Sequence, residues 1–471
     1  MTLGLLPQEV LDHIVRELPK RDLKNVRLAS SWLCLSADRY LYERLFISSN
    51  PLDLDVFDRV ISNPRLCGHV TELVWDDTSF PASSGRKQHF LERATSELAR
   101  LPPGSFLRDP DDSKKPIQES WEKFSELAEQ HHDIRLSRKD HAMLVRGIPL
   151  LKRLRRVVLT NLTIPEAKAQ GLCSPTFRRW AIWEERGLYI PFYYLPSCIW
   201  EYLPDDWLLD GSEPPAINQR FIDDLHSVVR VDEPGVAVHR PARGLYVLLS
   251  SFNSLNKQVE EFTTIASRRM LCPGLLSYMF WQGPPQIVQQ LSSFVPCLRT
   301  LSLTLGFVSD NLWGKNVMNP EVLSRVLMEA TELESLQLEL HSTHIINAES
   351  EIAAGLTQPR GYAKSSGAIA RGHRWKKLSR VKLYCGHVET TALLDFIRLH
   401  RGTLKLLVLG NCYVNTRKMP WYCLEDKIRA ERLTFELRYP ENPRIHELYS
   451  CVYNKGLRKA DSWGLKTIKF G

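Results

Sequence analysis

Fourteen histidines and ten cysteines are the side chains best suited to hold a metal, attack a carbonyl or carry a proton. His341 and His344 stand at i and i+3, a spacing that could share a metal on one helix face. They follow a strand-like stretch and lack an evident third ligand, so the spacing points to an exposed turn. His131-His132-Asp133 closes a helical pattern, where imidazoles can meet terminal carbonyls; the competing reading is general acid–base work. Cys385-Gly386-His387 brings a thiol near an imidazole, but neighbours in sequence are not a dyad. Asn161-Leu162-Thr163 has the form of a glycan acceptor, which matters only in a secreted chain. No cysteines stand as C-x-x-C; they sit in apolar runs such as Trp32-Leu33-Cys34-Leu35, as buried free thiols of a reducing compartment do. Neither G-x-G-x-x-G, G-x-x-x-x-G-K-[ST] nor G-x-S-x-G occurs. The expectation is a chain without catalytic, metal or cofactor residues.

The composition is 43% hydrophobic and 25% charged, as in soluble globular proteins. The net charge is +8, yet basic residues are scattered among acidic ones, which does not favour nucleic acid as partner. In the densest cluster Lys152, Arg153, Arg155 and Arg156 alternate with Leu150, Leu151, Leu154, Val157 and Val158, the pattern of a solvated face on a packed element. No apolar run is long enough for a membrane span, and Glu9 and Asp12 interrupt the first apolar residues, unlike a secretory leader. A cytoplasmic or nuclear location is expected.

The elements that must do the work begin at LLPQEVLDHIVRELPKRDLKNVRLASSWL, Leu5 to Leu33. Leu6, Val10, Leu11, Ile14, Val15 and Leu18 recur at helical spacing and make a broad apolar stripe. Pro7 suits a first turn and Pro19 stops the helix. Asp22 is placed to cap a second helix with Leu23, Val26 and Leu28, and Ser30 or Ser31 a third with Trp32, Leu33 and Leu35. Three short helices cannot cover this many apolar side chains alone.

The pattern Leu6-Pro7-x-Glu9-Val10-Leu11-x-x-Ile14, then Leu18-Pro19, Asp22-Leu23, Val26-Arg27-Leu28 and Trp32, resembles an F-box. Ser30 and Ser31 stand where that family often has a cysteine and a basic residue. The resemblance implies that Leu6, Pro7, Val10, Leu11, Ile14, Leu18, Leu23, Val26, Leu28 and Trp32 contact a Skp-type adaptor, and through it a cullin–RING ubiquitin ligase.

Beyond the box, segments close to L-x-x-L-x-L return: HVTELVWDD, LKRLRRVVLTNL, KQVEEFTTI, CLRTLSLTL, LESLQLEL, LSRVKLYC, LKLLVLGNC and ERLTFELRY. Each alternates like a strand with one buried face, and helical stretches such as EVLSRVLMEATE precede several. One such unit cannot bury its apolar face, whereas a stack can. With the box, the pattern is similar to fungal F-box proteins with irregular leucine-rich-like repeats. The expected architecture is an α+β or α/β solenoid: a three-helix box over residues 1–50, then a curved helix–strand array with a parallel sheet over 51–471, with insertions around 83–140 and 185–245. Of these, Ser83 to Pro116 mixes a helical pattern with a charged loop, and the aromatic Pro191 to Pro215 fits either flank packing or target recognition. The implied function is substrate recognition for a Skp–cullin–F-box ligase, with an unknown protein as substrate. The alternative is a non-catalytic scaffold whose helices only cap the solenoid.

Overall fold

The structure, a computed structural model, describes residues 6–78, 114–162, 164–185, 243–266, 275–276, 285–307, 321–342, 372–384, 387–410, 413–415 and 434–438. The chain divides into two compact units: Met1–Asp205 with Asp223–Val259 and Ile265–Ser267, and Asp206–Ile222 with Glu260–Thr264 and Arg268–Gly471. The strands whose pairing is given below are parallel, with helices between most of them. No helix among the described residues is long and apolar enough to cross a membrane.

The first unit opens with α1 (Gln8–Glu17), α2 (Lys20–Ala29) and α3 (Ser31–Leu41). Pro7 and Pro19 are the N-caps of α1 and α2, since proline has no amide hydrogen to leave unpaired there. Asp22 therefore lies within the first turn of α2 instead of capping it. Ser30 caps α3, its hydroxyl accepting the Leu33 amide at 3.3 Å. After them come β1 (Arg44–Ser48), α4 (Pro51–Ile61), α5 (Pro64–Cys67) and β2 (Glu72–Asp76). Then follow α6 (Lys114–Leu136), α7 (Lys139–Gly147), β3 (Arg156–Asn161), α8 (Ile164–Ala169), α9 (Pro175–Glu185) and α10 (Arg243–Ser254).

β1, β2 and β3 pair in parallel, and β1 lies before the expected array boundary at residue 51. Leu45, Leu73 and Val157 share one register row, as do Ile47, Trp75 and Leu159. Phe46, Val74 and Val158 form the row on the opposite face. Those three share a core with Ala128 of α6, Ala167 of α8, and Phe177 and Trp180 of α9, whose rings lie 5.4 Å apart. Part of the expected insertion at 83–140 is thus a helix laid on the sheet. With every residue of β2 buried, this sheet is closed on both faces.

The second unit carries β4 (Glu261–Ala266, through Thr264), β5 (Leu275–Leu276), α11 (Pro285–Phe294), β6 (Thr300–Phe307), α12 (Glu321–Glu329) and β7 (Ser335–Ser342). It continues through β8 (Arg380–Tyr384), β9 (His387–Glu389), α13 (Thr390–Leu399), β10 (Leu406–Gly410), β11 (Tyr413–Asn415) and β12 (Thr434–Arg438). The order is β4-β6-β7-β8-β10-β12, with β5 beside β6 and β9 beside β11. Leu301, Leu336, Val381 and Leu407 align across four strands, and Leu303, Leu338, Leu383 and Leu409 two residues on. All eight are buried. Alternation along LKLLVLGNC puts Leu406 and Val408 on the buried face of β10. Four consecutive apolar residues hide the phase there: register with Val381 puts Leu407 and Leu409 in these rows, Val408 is buried on the other face, and Leu406 is half-buried.

One joint recurs. At six places the residue before a strand offers its carbonyl to two amides of the next turn. In the first unit Glu43 accepts from Thr71 and Glu72, and Thr71 from Arg155 and Arg156, at 2.8–3.1 Å. In the second unit Glu260 accepts from Arg299 and Thr300, Arg299 from Glu334 and Ser335, Glu334 from Ser379 and Arg380, and Ser379 from Lys405 and Leu406. One residue earlier stands a buried apolar side chain: Val70, Leu154, Val259, Leu298, Leu333, Leu378 and Leu404. The first leucine of L-x-x-L-x-L is that plug, and the next two point from the strand into the same core.

Candidate functional site

The three N-terminal helices enclose a small core. Val15, Leu23 and Ala37 are buried together, with Leu18, Val26, Tyr40 and Leu41 packed against them. Gln8 donates to Ser36 at 2.6 Å and Arg39 pairs with Asp12 at 3.2 Å, tying α1 to α3. With that core closed, apolar side chains remain outside it. Leu28 is 84% exposed, Leu35 55%, Val10 43% and Ile14 40%. These are four of the six large apolar side chains exposed among the described residues. Val10 and Ile14 lie one turn apart on α1, and Leu35 one turn after half-buried Trp32 on α3.

The ten residues singled out from sequence therefore separate by role. Leu11 and Leu23 are buried, so truncating them would empty the interior rather than a surface. Leu6, Leu18, Val26 and Trp32 are half-buried, while Pro7, Val10, Ile14 and Leu28 are exposed. Leu35 belongs with the exposed group; its signal was an apolar residue one turn from Trp32 at an outward position.

A buried charge joins this bundle to α5. Asp38 of α3 has no exposed side-chain surface; it meets Arg27 of α2 at 2.7 Å and Arg65 of α5 at 2.8 Å. Cys34 adds a thiol contact to the same carboxylate at 3.7 Å. Below it, Arg44 and Glu72 form a two-pronged pair across β1 and β2, both contacts at 3.0 Å. Arg44 also donates to the Gly171 carbonyl at 2.6 Å.

A second group of ionisable residues lies at the carboxyl ends of β1–β3, where parallel sheets often bind ligands. Ser48, Asp76 and Thr160 share a register row. Asp76 accepts from the Thr78 amide at 3.1 Å and from its hydroxyl. Asp53 accepts from Ser48 at 2.7 Å and from the Thr176 amide at 2.9 Å. Burial, opposed by the Thr78 bonds and reinforced by Asp53, pushes the Asp76 carboxyl up to about 7. Burial also raises Asp53 against its hydrogen bonds. These carboxylates are engaged by their own neighbours, and no metal-competent group of three ligands occurs among the described residues.

The remaining sequence candidates are spread out. His131 is buried within α6 and its Nε2 lies 3.2 Å from the Thr78 carbonyl, so it meets a loop carbonyl rather than a helix end. Asn161 is buried at the end of β3. His341 lies within β7 instead of in a turn, His387 opens β9, and His344, Cys385 and the segment Pro191 to Pro215 lie outside the described residues. Lys152, Arg153 and Arg155 are exposed beside buried Leu151, Leu154, Val157 and Val158, as alternation predicted, whereas Leu150 is exposed and Arg156, at the start of β3, is half-buried. No family model matches the chain, and no curated protein matches it in sequence.

Proposed function

We propose that the chain is a substrate-recognition subunit of a Skp–cullin–F-box type ubiquitin ligase. On this reading α1–α3 are an F-box that binds a Skp-type adaptor, and the helix–strand repeats hold a protein target. The chain supplies no bond-making chemistry; it brings target and ligase together. The observation that carries the proposal is the set Val10, Ile14, Leu28 and Leu35, exposed on a bundle that has already closed its own core. Apolar surface of this kind is stable in water when a partner covers it.

The test is capture of the full chain on an immobilised Skp-type adaptor. Val10→Asp with Ile14→Asp abolishes capture while the thermal melt matches the parent, since both side chains are outside the core. Interface anchors typically contribute about 2 kcal/mol or more. Undiminished capture by the folded double variant overturns the proposal. The second reading, a repeat scaffold capped by these helices, draws on the Asp38–Arg65 link between the bundle and α5. It gains the argument if the parent never captures adaptor.

A further inference from the structure

The turns that lead into β8 and β10 carry exposed cations. Arg374 and Lys376 flank Trp375, whose amide donates to His400 at 3.1 Å, just beyond the end of α13. Lys405 donates its amide to the Ser379 carbonyl at 2.7 Å, and Arg380 follows Ser379, so both belong to one joint. Arg374, Lys376, Arg380 and Lys405 are all exposed, and none of the four is in an ion pair among the described residues. The acids nearby are mostly committed. Glu332 pairs with Lys377, Glu334 stands 3.9 Å from Arg299, and Asp395 stands 3.7 Å from Arg398. Exposed Glu329, at the end of α12, is left against those four cations.

A face of opposite sign lies on α6. Glu119, Glu122, Glu126, Glu129 and Asp133 recur at three- and four-residue spacing, and all are exposed. They form one stripe of about 21 Å. Trp121, Ala128 and Ile134 are buried on the opposite side of the helix. Glu119 pairs with Lys123, whereas Glu122 and Glu126 accept only from the neutral amides of Gln118 and Gln130. Four of the five acids therefore lack a cation among the described residues. On a chain of net charge +8 this stripe is a local reversal. Like charges one turn apart repel and weaken a helix, so a positive surface laid on the stripe would relieve it.

We propose that the cationic turns before β8 and β10 dock the acidic face of α6 on a second copy of this chain. Both faces are exposed, both are short of counter-charge, and one molecule carries the two. Because the surfaces differ, the contact is heterologous and copies add head to tail. Exposed charge pairs are individually weak and screened by salt, so association belongs to low ionic strength and high protein concentration. The proposal goes beyond the ligase reading and does not depend on it.

Sedimentation velocity on the full chain, before and after nuclease treatment, tests it. At about 50 mM salt the parent's average mass rises with concentration, and at about 500 mM it returns to that of the monomer. Glu122→Lys with Glu126→Lys and Glu129→Lys weakens self-association by at least about ten-fold, and so does Lys376→Glu with Arg380→Glu and Lys405→Glu. An equimolar mixture of the two triple variants associates again, because each reversed face finds its complement on the other chain. If a reversal fails to fold, the matching triple Gln variant must still weaken self-association several-fold. A parent that stays monomeric at low salt overturns the proposal, as does a folded variant that associates like the parent or a mixture that stays monomeric. Association that disappears with nuclease also overturns it, in favour of a nucleic acid bridging the cationic turns. Val10→Asp with Ile14→Asp removes adaptor capture and spares self-association, which keeps this result apart from the ligase proposal. Loss of self-association in that variant overturns the proposal in favour of the N-terminal apolar face.

Discussion

His400 is fixed as a neutral imidazole by Trp375: its Nε2 accepts the Trp375 backbone amide at 3.1 Å, while Nδ1 donates to the Phe396 carbonyl at 2.9 Å. The Trp375 ring stacks on it with centroids 5.7 Å apart, and Trp375 Nε1 donates to the Leu327 carbonyl of α12 at 3.0 Å. One imidazole thereby joins α13 and α12 through the segment between them. A second proton would place an N–H against an N–H.

That geometry predicts acid sensitivity. Burial first, then the nearby His373 and Arg374, hold His400 below its ordinary value, against the Phe396 carbonyl, which favours the charged form. His373 is lowered by burial as well, opposed by Glu329. A histidine depressed in the fold takes up fewer protons than in the unfolded chain, so its stabilisation is complete above about pH 6.5 and declines as pH falls below it. Thermal melts at about pH 7.5 and about pH 5.5 should show the parent losing stability in acid. His400→Gln should be weaker than the parent at the higher pH and show a shallower pH dependence. Equal slopes would remove His400 from the explanation.

Asp76 works in the opposite direction. Its carboxyl, raised to about 7, keeps its proton in the fold at pH values where the unfolded chain has lost it. Its contribution is therefore greatest below about pH 4 and is lost as pH climbs to about 7. Asp76→Asn should gain on the parent across that interval and stay ahead above it, by a few kcal/mol at most. Denaturant unfolding at three pH values checks the trend; a difference that shrinks with rising pH would contradict it.

The corrected strand phase gives a stability test. Leu407→Ala, in register with Val381 and fully buried, should cost about 2–5 kcal/mol, and Leu406→Ala appreciably less. Equal losses would mean that both residues share the core.

Asp38 should be the joint between the bundle and α5. Asp38→Ala removes charged hydrogen bonds to Arg27 and Arg65 and should cost about 2 kcal/mol. Protease should then cut between α3 and β1 at concentrations that leave the parent intact. Unchanged cutting would show that side-chain packing alone holds the bundle.

Much of this fold was legible because its repeating unit has a short-range signature. In Leu333-x-x-Leu336-x-Leu338 the spacing encodes the plug and two inward strand positions, and the same reading works for Leu298 and Leu378. It failed at Leu406, where a run of apolar residues carries no period. Pro7 and Pro19 mark the ends of α1, and Ser30 is one of two serines placed to cap α3, but α2 starts after Pro19 and not at Asp22. The division of the N-terminal apolar residues between core and surface did not. Leu11 and Ile14 look alike in sequence, and packing against the other helices decides which is covered. Asp38 was equally hidden, because its partners Arg27 and Arg65 are brought to it only by the tertiary fold.

The doubled carbonyl joint fixes where one turn meets the next but says nothing about what lies between. The chain from Thr71 to Arg155 is more than twice as long as that from Arg299 to Glu334, yet both pairs close with the same two amides. Length is thus a free variable of this architecture. New sequence inserted between joints alters neither strand order nor register, so the loops can diversify while the frame stays constant. Such a chain can acquire new recognition surfaces by growing rather than by rebuilding.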